Sequence, residues 1–400
     1  MTDTSHLIQL AERYSARNYH PLPVVISEAE GVWVWDVEGK KYMDMLSSYS
    51  ALNQGHGHPR IVGALVEQAK KLTLTSRAFH NDVFGPFCEL LCKTSGQEQA
   101  LLMNTGAEAV ETAVKACRKW GHKRKGIPDG KAEIIVCENN FHGRTTTVIS
   151  FSSEAQYRDG FGPLSPGFKI IPYDDLDALR GAITPNTAGF LVEPIQGEAG
   201  IIVPSEGYLT GAREICRENR VLLMLDEIQT GLGRTGRLYC YQYEKAEPDI
   251  LIVGKALGGG CYPVSAILSS EEIMSVFTPG DHGSTFGGNP LACAVGIASL
   301  NVILEERLAD KAAEHGTYFR ERLLASKSRH VKEVRGRGLL LGVYVHESSG
   351  TARPFCEALM KEGILAKETH GQVIRFAPPL TIERKELDWA LEKIEKVLAS

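Results

Sequence analysis

The chain has 400 residues, 43% of them hydrophobic and 23% charged, and a formal net charge of −5 at pH 7. That composition is ordinary for a globular protein, and the length suffices for a large domain with a smaller companion. Because the charge is weakly acidic and no basic stripe occurs, the sequence excludes nucleic acid as a partner and disfavours an anionic membrane surface.

Residues 31–50 contain the first recognisable element. Apolar and polar side chains alternate there around a turn at Glu38 and Gly39, which predicts a β-hairpin leading into a loop. From about residue 100, short apolar runs alternate with helical segments. Near-continuous apolar strands separated by helices are typical of a mostly parallel sheet that is covered on both faces. Ligands bind at the carboxyl ends of such strands, so the residues after each run are candidates for a site.

The last hundred residues follow a different pattern. One helical stretch covers residues 289–325, two apolar segments follow it, and a helix that starts near Glu383 closes the chain. This pattern predicts a smaller α+β domain that packs with the N-terminal hairpin. The sequence therefore predicts an α/β fold in three parts, namely an N-terminal segment (1–50), a large domain with a mostly parallel central sheet (51–290) and a C-terminal small domain (291–400).

The nine cysteines are scattered through apolar segments, without a C-x-x-C pair. An odd number cannot form a complete disulfide framework, so we expect reduced and mostly buried thiols. The N-terminal residues lack the apolar core of a signal peptide, and no apolar run reaches the roughly 18 residues that a membrane helix needs. These features predict a cytoplasmic protein without a membrane partner.

The most informative apolar run is DILIVGK, which ends in Gly254 and Lys255 and is followed by glycines at 258–260. An amine at the carboxyl end of a strand, beside small residues that let a ring approach, suits a lysine that forms a Schiff base. A simply solvated lysine is the alternative. A nucleotide-binding P-loop does not fit, because no G-x-x-x-x-G-K-[ST] segment occurs and residue 256 is alanine.

A second apolar run, VLLMLDE, ends in Asp226 and Glu227. It resembles the acidic strand end of an ATPase, but the P-loop that would accompany it is missing. The alternative is a carboxylate that holds the protonated pyridine nitrogen of pyridoxal phosphate, so that the ring can accept electrons from a carbanion. Gln229, three residues on, could then donate a hydrogen bond to the ring hydroxyl.

In LLMNTGAEAVE, an apolar strand leads into an amphipathic helix. The free backbone N–H groups of Gly106 and Ala107 would face the end of the strand and form a cradle for phosphate. A plain strand-to-helix turn is the alternative.

The segment NNFHGRT offers an aromatic ring and a cation close together. Phe141 can stack on a planar ring, and Arg144 can bind a carboxylate through two hydrogen bonds. His142 is not accompanied by a ligand cluster, and His56 and His58 are best interpreted as loop histidines. We therefore expect no metal site.

Six motifs occur in order along the chain: NTGAEAVE, FHGRT, VEPIQGEAG, LLMLDEIQTGLGRTG, GKALGGG and GSTFGGNPLACA. Together they resemble the class III aminotransferases, which belong to the fold-type I superfamily of pyridoxal-phosphate enzymes, and the resemblance covers nearly the whole chain. It implies that pyridoxal 5′-phosphate is bound as a Schiff base to Lys255, with its ring nitrogen on Asp226 and its ring face on Phe141. It also implies that Gly106 and Ala107 bind the phosphate.

The resemblance further implies a homodimer, because Thr285 in GSTFGG is expected to reach the phosphate bound in the neighbouring subunit. The branch of the family that takes its amino group from ornithine is similar to this chain in three more segments: NYHPLPVV, WDVEGKKYMDMLSSYSALNQGHGHP and VIRFAPPL. By that likeness, Tyr19 and Tyr49 hold the α-amino and α-carboxylate end of ornithine, assisted by Arg144. Relatives that act on acetylornithine or 4-aminobutyrate generally lack the second tyrosine.

The reaction that this resemblance implies is ping-pong. The δ-amino group of ornithine passes to the cofactor, which leaves glutamate 5-semialdehyde to cyclise to pyrroline-5-carboxylate, and 2-oxoglutarate then receives the nitrogen to give glutamate. The resemblance also implies that Glu198 masks Arg375 through a salt bridge until glutamate or 2-oxoglutarate arrives. A static surface ion pair is the alternative.

Three other functions stay open from the sequence. The same machinery could use acetylornithine or 4-aminobutyrate as its donor. A cofactor-binding regulator would need a DNA-binding extension, and none precedes residue 30. An aminomutase or racemase would share Lys255 and Asp226.

Overall fold

Strands and helices alternate through most of the computed structural model, which describes residues 3–400. Within that range the fifteen strands are, in chain order, β1 (Ile26–Glu30), β2 (Trp33–Asp36), β3 (Lys41–Asp44), β4 (Gln99–Met103), β5 (Glu133–Cys137), β6 (Phe168–Ile171), β7 (Thr187–Val192), β8 (Leu222–Asp226), β9 (Ile250–Val253), β10 (Ser265–Ser269), β11 (Val331–Arg337), β12 (Leu340–Val345), β13 (Ile364–Leu365), β14 (Lys367–Thr369) and β15 (Val373–Phe376). The fourteen α-helices of the same range are α1 (Thr4–Tyr14), α2 (Ser47–Ser50), α3 (Pro59–Lys71), α4 (Phe84–Ser95), α5 (Gly106–Trp120), α6 (Thr146–Ile149), α7 (Ala155–Arg158), α8 (Leu176–Ala182), α9 (Tyr208–Glu218), α10 (Glu271–Met274), α11 (Pro290–Glu305), α12 (Leu308–Ala325), α13 (Arg353–Lys361) and α14 (Arg384–Ala399).

A seven-stranded sheet with the order β4-β10-β9-β8-β7-β5-β6 lies at the centre of the molecule. Neighbouring strands from β9 to β6 run parallel, whereas β10 is antiparallel to both β4 and β9. Every residue of β7, β8, β9 and β10 is buried, as expected for apolar strands that are covered on both faces. The predicted mostly parallel sheet is thereby confirmed.

The carboxyl ends of six of the seven strands, all but β10, lie at one edge of this sheet. Because β10 is antiparallel to β4 and to β9, those two strands point in the same direction as β8, β7 and β5. The segments that follow β4, β5, β7, β8 and β9 therefore lie together at this edge, where ligands of open α/β sheets bind.

Helix α5, which follows β4, begins at a well-defined cap. Thr105 Oγ1 accepts a hydrogen bond from the backbone N of Glu108 at 3.3 Å, and the Glu108 carboxylate accepts one from the Thr105 backbone N at 2.7 Å. This reciprocal pair is a capping box. The first N–H groups of the helix, at Gly106 and Ala107, have no partner inside the helix and face the sheet edge.

Two four-stranded sheets contain the remaining strands. In the first, β1, β2 and β3 form an antiparallel meander, and β13 joins β3 in parallel. In the second, the order is β11-β12-β15-β14 and all neighbours are antiparallel. The hairpin predicted around Glu38 and Gly39 is confirmed as β2 and β3. Strand β13, from the C-terminal third of the chain, pairs with β3 in the same sheet. The division of the chain at residues 50 and 290 stays a prediction.

The helical stretch predicted over residues 289–325 consists of two helices. α11 ends at Glu305 and α12 begins at Leu308, because Arg307 between them has a left-handed backbone with φ of 52°. A left-handed residue cannot continue a right-handed helix, so the chain turns there.

All nine cysteines lie within the described residues as free thiols, and six of them are buried. This agrees with the expectation of reduced and mostly buried cysteines. Across residues 3–400, none of the helices is both long enough and apolar enough to cross a bilayer.

Candidate active site

A cavity of about 200 Å³ opens at the carboxyl edge of the central sheet. Seven residues that were predicted from the sequence line it: Gly106, Ala107, Phe141, Glu198, Asp226, Gln229 and Lys255. The other lining residues are His142, Gly143, Glu193, Ile228 and Thr230. The structure therefore brings most of the predicted cofactor-binding residues to one place, while their chemical roles stay predictions.

Lys255 enters the cavity two residues after β9. Its backbone is left-handed, with φ of 46°, and it starts a short 3₁₀ turn that reaches Gly258. Among the described residues, its amine makes no hydrogen bond and no ion pair. Burial lowers the pKa of Lys255, and the charges of Glu198 and Asp226 oppose this only in part. A buried amine with a lowered pKa has a larger neutral fraction, which is the form that attacks a carbonyl carbon.

Asp226, the last residue of β8, is paired with a histidine that sequence reasoning left without a role. Its Oδ2 lies 2.7 Å from Nδ1 of His142, and its Oδ1 accepts a hydrogen bond from the backbone N of Ile228 at 3.1 Å. Both side chains are buried. Burial alone would lower the pKa of His142, but the hydrogen bond and charge of Asp226 outweigh burial and raise it. The two hydrogen bonds thus fix the direction of the Asp226 carboxylate beside the cavity.

Glu193 is the second residue that sequence reasoning missed. It follows β7, and its carboxylate accepts hydrogen bonds from the backbone N of Phe141 at 2.9 Å and of Gly197 at 3.4 Å. Burial raises the pKa of Glu193 to about 7. The side chain ties the segment of Phe141 to the loop that carries Glu198. Its position in VEPIQGEAG, directly after an apolar run, was a signal that could have identified it.

Glu198 and Arg375 form a direct ion pair at the rim of the cavity. Nη1 of Arg375 donates to Oε1 of Glu198 at 2.6 Å, and Nη2 donates to Oε2 at 3.2 Å. Gln229 Nε2 adds a third hydrogen bond to Glu198 Oε1 at 3.1 Å. Burial would raise the pKa of Glu198, but the charge and hydrogen bonds of Arg375 outweigh burial and lower it to about 2. Glu198 is therefore ionised throughout the physiological range.

Tyr19 and Tyr49 line a second cavity of about 440 Å³. The Tyr49 ring centre lies 4.9 Å from the guanidinium carbon of Arg375, so this cavity adjoins the ion pair of Glu198. Burial raises the pKa of Tyr49, and the charge of Arg375 partly opposes that effect. Tyr19 is 79% exposed on the isolated chain.

Three predicted residues line neither cavity, namely Arg375, whose ion pair with Glu198 is given above, Arg144 and Thr285. Arg144 places its guanidinium over the ring of Tyr157, 3.6 Å from the ring centre. Thr285 is exposed on the isolated chain. Its neighbour Ser284 accepts a hydrogen bond from Asn104 Nδ2 at 2.9 Å, which fixes the GSTFGG loop beside the start of α5.

The first cavity fits pyridoxal 5′-phosphate by its donors and its shape. It offers an unpartnered amine at Lys255, and two buried polar atoms without a hydrogen-bond partner, Gln229 Oε1 and His142 Nε2. Phe141 and Ile228 supply apolar surface for a planar ring. The start of α5 supplies N–H groups for a phosphate. A metal ion fits less well, since no group of three or more His, Cys, Asp or Glu in the described range is arranged to hold one.

Comparison with known proteins agrees with this geometry. A family model described as "Aminotransferase class-III" matches residues 14–398. The chain is 59% identical to an ornithine aminotransferase of Geobacillus sp. (strain WCH70) over 399 residues, which is 100% of both chains. The solved ornithine aminotransferase of Toxoplasma gondii, described as having partial occupancy of PLP at its active site, has a TM-score of 0.98 and 47% identity over 99% of this chain and 94% of that one. An acetylornithine aminotransferase from Elizabethkingia anophelis has a TM-score of 0.91 and 48% identity over 100% of this chain and 99% of its own.

Proposed function

Since this chain belongs to the class-III aminotransferase family, we propose that it transfers the δ-amino group of L-ornithine to 2-oxoglutarate. The products are glutamate 5-semialdehyde, which cyclises to pyrroline-5-carboxylate, and glutamate. The observation that carries this proposal is the buried ion pair of Arg375 and Glu198. Because Glu198 occupies the guanidinium, Arg375 cannot bind the α-carboxylate of ornithine, and ornithine is left to react at its δ-amino group.

The enzyme depends on pyridoxal 5′-phosphate, as class-III aminotransferases do. When bound, this cofactor supplies an electron sink that stabilises negative charge on the carbon that loses its proton. We propose that Lys255 Nζ holds it covalently and that Asp226 pairs with its ring nitrogen, supported from behind by His142. Phe141 would cover one face of the ring, with Gln229 in reach of the ring hydroxyl. The phosphate would lie at the N-terminus of α5.

Lys255 has a second task in this proposal. When its amine is free, Nζ of Lys255 would accept the proton from the δ-carbon of ornithine and then donate that proton to the cofactor. The lowered pKa of this amine supports the role, because only the neutral form can accept a proton.

The two halves of the reaction make opposite demands on Arg375. Ornithine should present its δ-amino group, and a free arginine beside the cofactor would instead attract its α-carboxylate. We propose that Tyr19 and Tyr49 bind the α-amino and α-carboxylate end away from the cofactor while Glu198 masks Arg375. For glutamate or 2-oxoglutarate the pair opens, Arg375 takes the α-carboxylate and Arg144 takes the distal one. The planar guanidinium can donate two hydrogen bonds to either carboxylate in the same geometry, so exchanging one carboxylate for the other loses little interaction energy.

We further propose that the active form is a homodimer. Thr285 is exposed on the isolated chain, and Phe79 and Phe286 are exposed at 70% and 47%. Phe286 follows Thr285 directly in the chain, so an exposed aromatic ring accompanies the residue that would face a partner. A second copy would let Thr285 reach the phosphate in the partner.

We also propose a cytoplasmic location, which the free thiols support.

A second candidate function is transamination of acetylornithine, because a structure of that specificity is 48% identical over the whole chain. The position of Tyr49 beside Arg375 favours ornithine, since the tyrosine can bind a free α-amino end that acetylornithine blocks. The same machinery with 4-aminobutyrate is the remaining rival.

One experiment tests the proposal directly. The yellow enzyme is mixed with ornithine in the absence of any keto acid, and the loss of cofactor absorbance is followed together with the formation of pyrroline-5-carboxylate. Acetylornithine and 4-aminobutyrate are tested side by side at equal concentration. We expect ornithine to react fastest. Preferred turnover of either rival would overturn the assignment of the donor.

A further inference from the structure

The backbone of α2 is left-handed over four successive residues. Ser47, Ser48, Tyr49 and Ser50 have φ values of 50°, 48°, 61° and 70°, and none of them is glycine. Residues with a Cβ rarely adopt this region, and then usually one at a time. A run of four is therefore unfavourable by itself and has to be held by contacts from outside the turn.

The carboxylate of Asp44 supplies those contacts. Its Oδ1 accepts hydrogen bonds from the backbone N of Leu46 and of Ser47, each at 2.9 Å, immediately before and inside the turn. Its Oδ2 lies 2.8 Å from Nε2 of His56. The Asp44 side chain thus reaches both the start of the turn and an imidazole on the segment that follows it.

His56 is in turn fixed to the N-terminal sheet. Its backbone N donates to the Gly31 carbonyl at 2.8 Å, and its carbonyl accepts from the Gly31 backbone N at 2.9 Å. The backbone of His56 is therefore held against Gly31, between β1 and β2. One carboxylate oxygen of Asp44, Oδ2, contacts the imidazole of His56, and the other, Oδ1, binds the start of the turn.

The turn presents Tyr49 to the substrate cavity. The Tyr49 ring lies beside Arg375, and Asp44, His56, Ser48 and Tyr49 all line the same cavity of about 440 Å³. In an ordinary right-handed turn the Tyr49 side chain would leave the backbone in another direction. Its place beside Arg375 therefore depends on the left-handed conformation.

We propose that Asp44 and His56 are positioning residues for donor specificity: their hydrogen-bonded pair holds the left-handed turn 47–50, and the turn places Tyr49 where it selects a donor with an α-amino and α-carboxylate end. The inference rests on the proposed function. Neither residue touches the reacting atoms. A role in folding alone would instead reduce turnover of all donors in the same proportion.

The test uses the holoenzyme and compares kcat/KM for ornithine with kcat/KM for 4-aminobutyrate, which has no α-amino group. His56→Ala removes the imidazole, and we expect the ornithine-to-aminobutyrate ratio to fall about tenfold, mainly through a higher KM for ornithine. His56→Gln retains a donor that can reach Asp44 and should restore most of the ratio. The thermal midpoint of each variant is measured in parallel.

His58→Ala is the matched control. His58 lies two residues further along the same loop and also pairs with a carboxylate, Glu306, at 3.1 Å, but it lines neither cavity. We expect His58→Ala to leave the donor ratio unchanged. An equal fall of the ratio in both histidine variants would overturn the proposal.

A second variant keeps the proposal testable if His56→Ala folds poorly. Glycine adopts left-handed backbone without a steric penalty, so Ser48→Gly should make the turn less dependent on its support. Adding it to His56→Ala should recover part of the ornithine preference. An unchanged ratio in His56→Ala, with the parent enzyme preferring ornithine, would refute the positioning role alone. A parent enzyme that ignores ornithine would refute the proposed function and this inference together.

Discussion

Arg375 and Glu198 pair through two hydrogen bonds while only 2% of the arginine side chain is exposed. The pair is therefore not the surface ion pair that the sequence left open as an alternative. Removing one partner of a buried pair leaves an uncompensated charge, which is strongly unfavourable. A substrate carboxylate can take the place of Glu198 on Arg375, so the buried arginine stays paired, while Gln229 Nε2 still donates to the released Glu198 carboxylate.

Glu198→Ala should leave Arg375 permanently available. The glutamate half-reaction should then accelerate relative to the ornithine half-reaction, because the exposed guanidinium attracts the α-carboxylate of either substrate to the position that glutamate needs. We expect the ratio of the two rates to rise about tenfold or more. Stopped-flow absorbance of the cofactor measures both rates. Glu198→Gln, which retains the shape with a weaker acceptor, should give an intermediate ratio, and a parental ratio in both variants would disprove the gate.

The residues at strand ends were predictable because apolar runs are visible in the sequence. Lys255 and Asp226 each follow such a run, and the structure places both at the edge where β8 and β9 end. Their chemical roles were suggested by residue type and by the family resemblance, which depends on several motifs in a fixed order.

His142 could not be assigned in the same way. It contacts Asp226 across 84 residues of sequence, and the two strands that lead to them, β5 and β8, are separated in the sheet by β7. No spacing rule gives that contact before the strand order is known.

The left-handed turn 47–50 could not be predicted from the sequence for a different reason. Such backbone is usually marked by glycine, and Ser-Ser-Tyr-Ser contains none.

Lys255→Ala should bind the cofactor without a covalent bond and lose turnover by about 10³-fold or more, because anchoring and proton transfer disappear together. Borohydride treatment followed by mass measurement should attach the cofactor to the parent but not to the variant. Lys125→Ala is the control, since Lys125 also has a pKa lowered by burial but bonds to the carbonyls of Thr187 and Asn219 away from the cavity. Near-parental turnover in Lys255→Ala would contradict the assignment of Lys255 as the residue that binds the cofactor and transfers the proton.

Tyr49→Ile should weaken ornithine turnover and relatively favour donors without an α-amino group. A buried polar contact of this kind contributes about 1.5–3 kcal/mol, or roughly ten- to a hundredfold in discrimination. Tyr49→Phe separates the hydroxyl from the ring that lies beside Arg375. Steady-state kcat/KM for ornithine and 4-aminobutyrate gives the ratio, and a ratio that stays at the parental value in both variants would count against the assignment.

Two inactive variants should complement each other if Thr285 acts across a twofold interface. In a hybrid of Lys255→Ala and Thr285→Ala subunits, one of the two sites regains both parental residues. Random mixing of equal amounts then restores about a quarter of the parental activity per subunit. Mixing is done by unfolding and refolding together, with each variant refolded alone as control. A fully active monomer in sedimentation, or a mixture no more active than its components, contradicts the shared site.

Glu227, next to Asp226, gives the protein a stability that depends on pH. Its carboxylate is wholly buried and accepts hydrogen bonds from Thr230 Oγ1 at 2.6 Å, Cys240 N at 2.9 Å and Tyr241 N at 2.8 Å. Burial outweighs these bonds and raises the pKa of Glu227 from 4.5 to about 7. Between those two values the folded chain keeps a proton that the unfolded chain has lost.

The contribution of Glu227 to the free energy of unfolding should therefore be largest below pH 4.5. It should decline as the pH rises through about 7. The full shift corresponds to roughly 3 kcal/mol of unfolding free energy. Glu227→Gln does not titrate, and its amide cannot accept from all three donors, so it should be less stable by an amount that varies little with pH. Glu193, whose pKa is raised in the same direction, is present in both proteins and its contribution cancels in the comparison. The free energy of unfolding is measured by urea for parent and variant from pH 5 to 8, at fixed protein and cofactor concentration. It should decline more steeply with pH in the parent. Parallel curves would mean that Glu227 is ionised in the folded protein across the whole range.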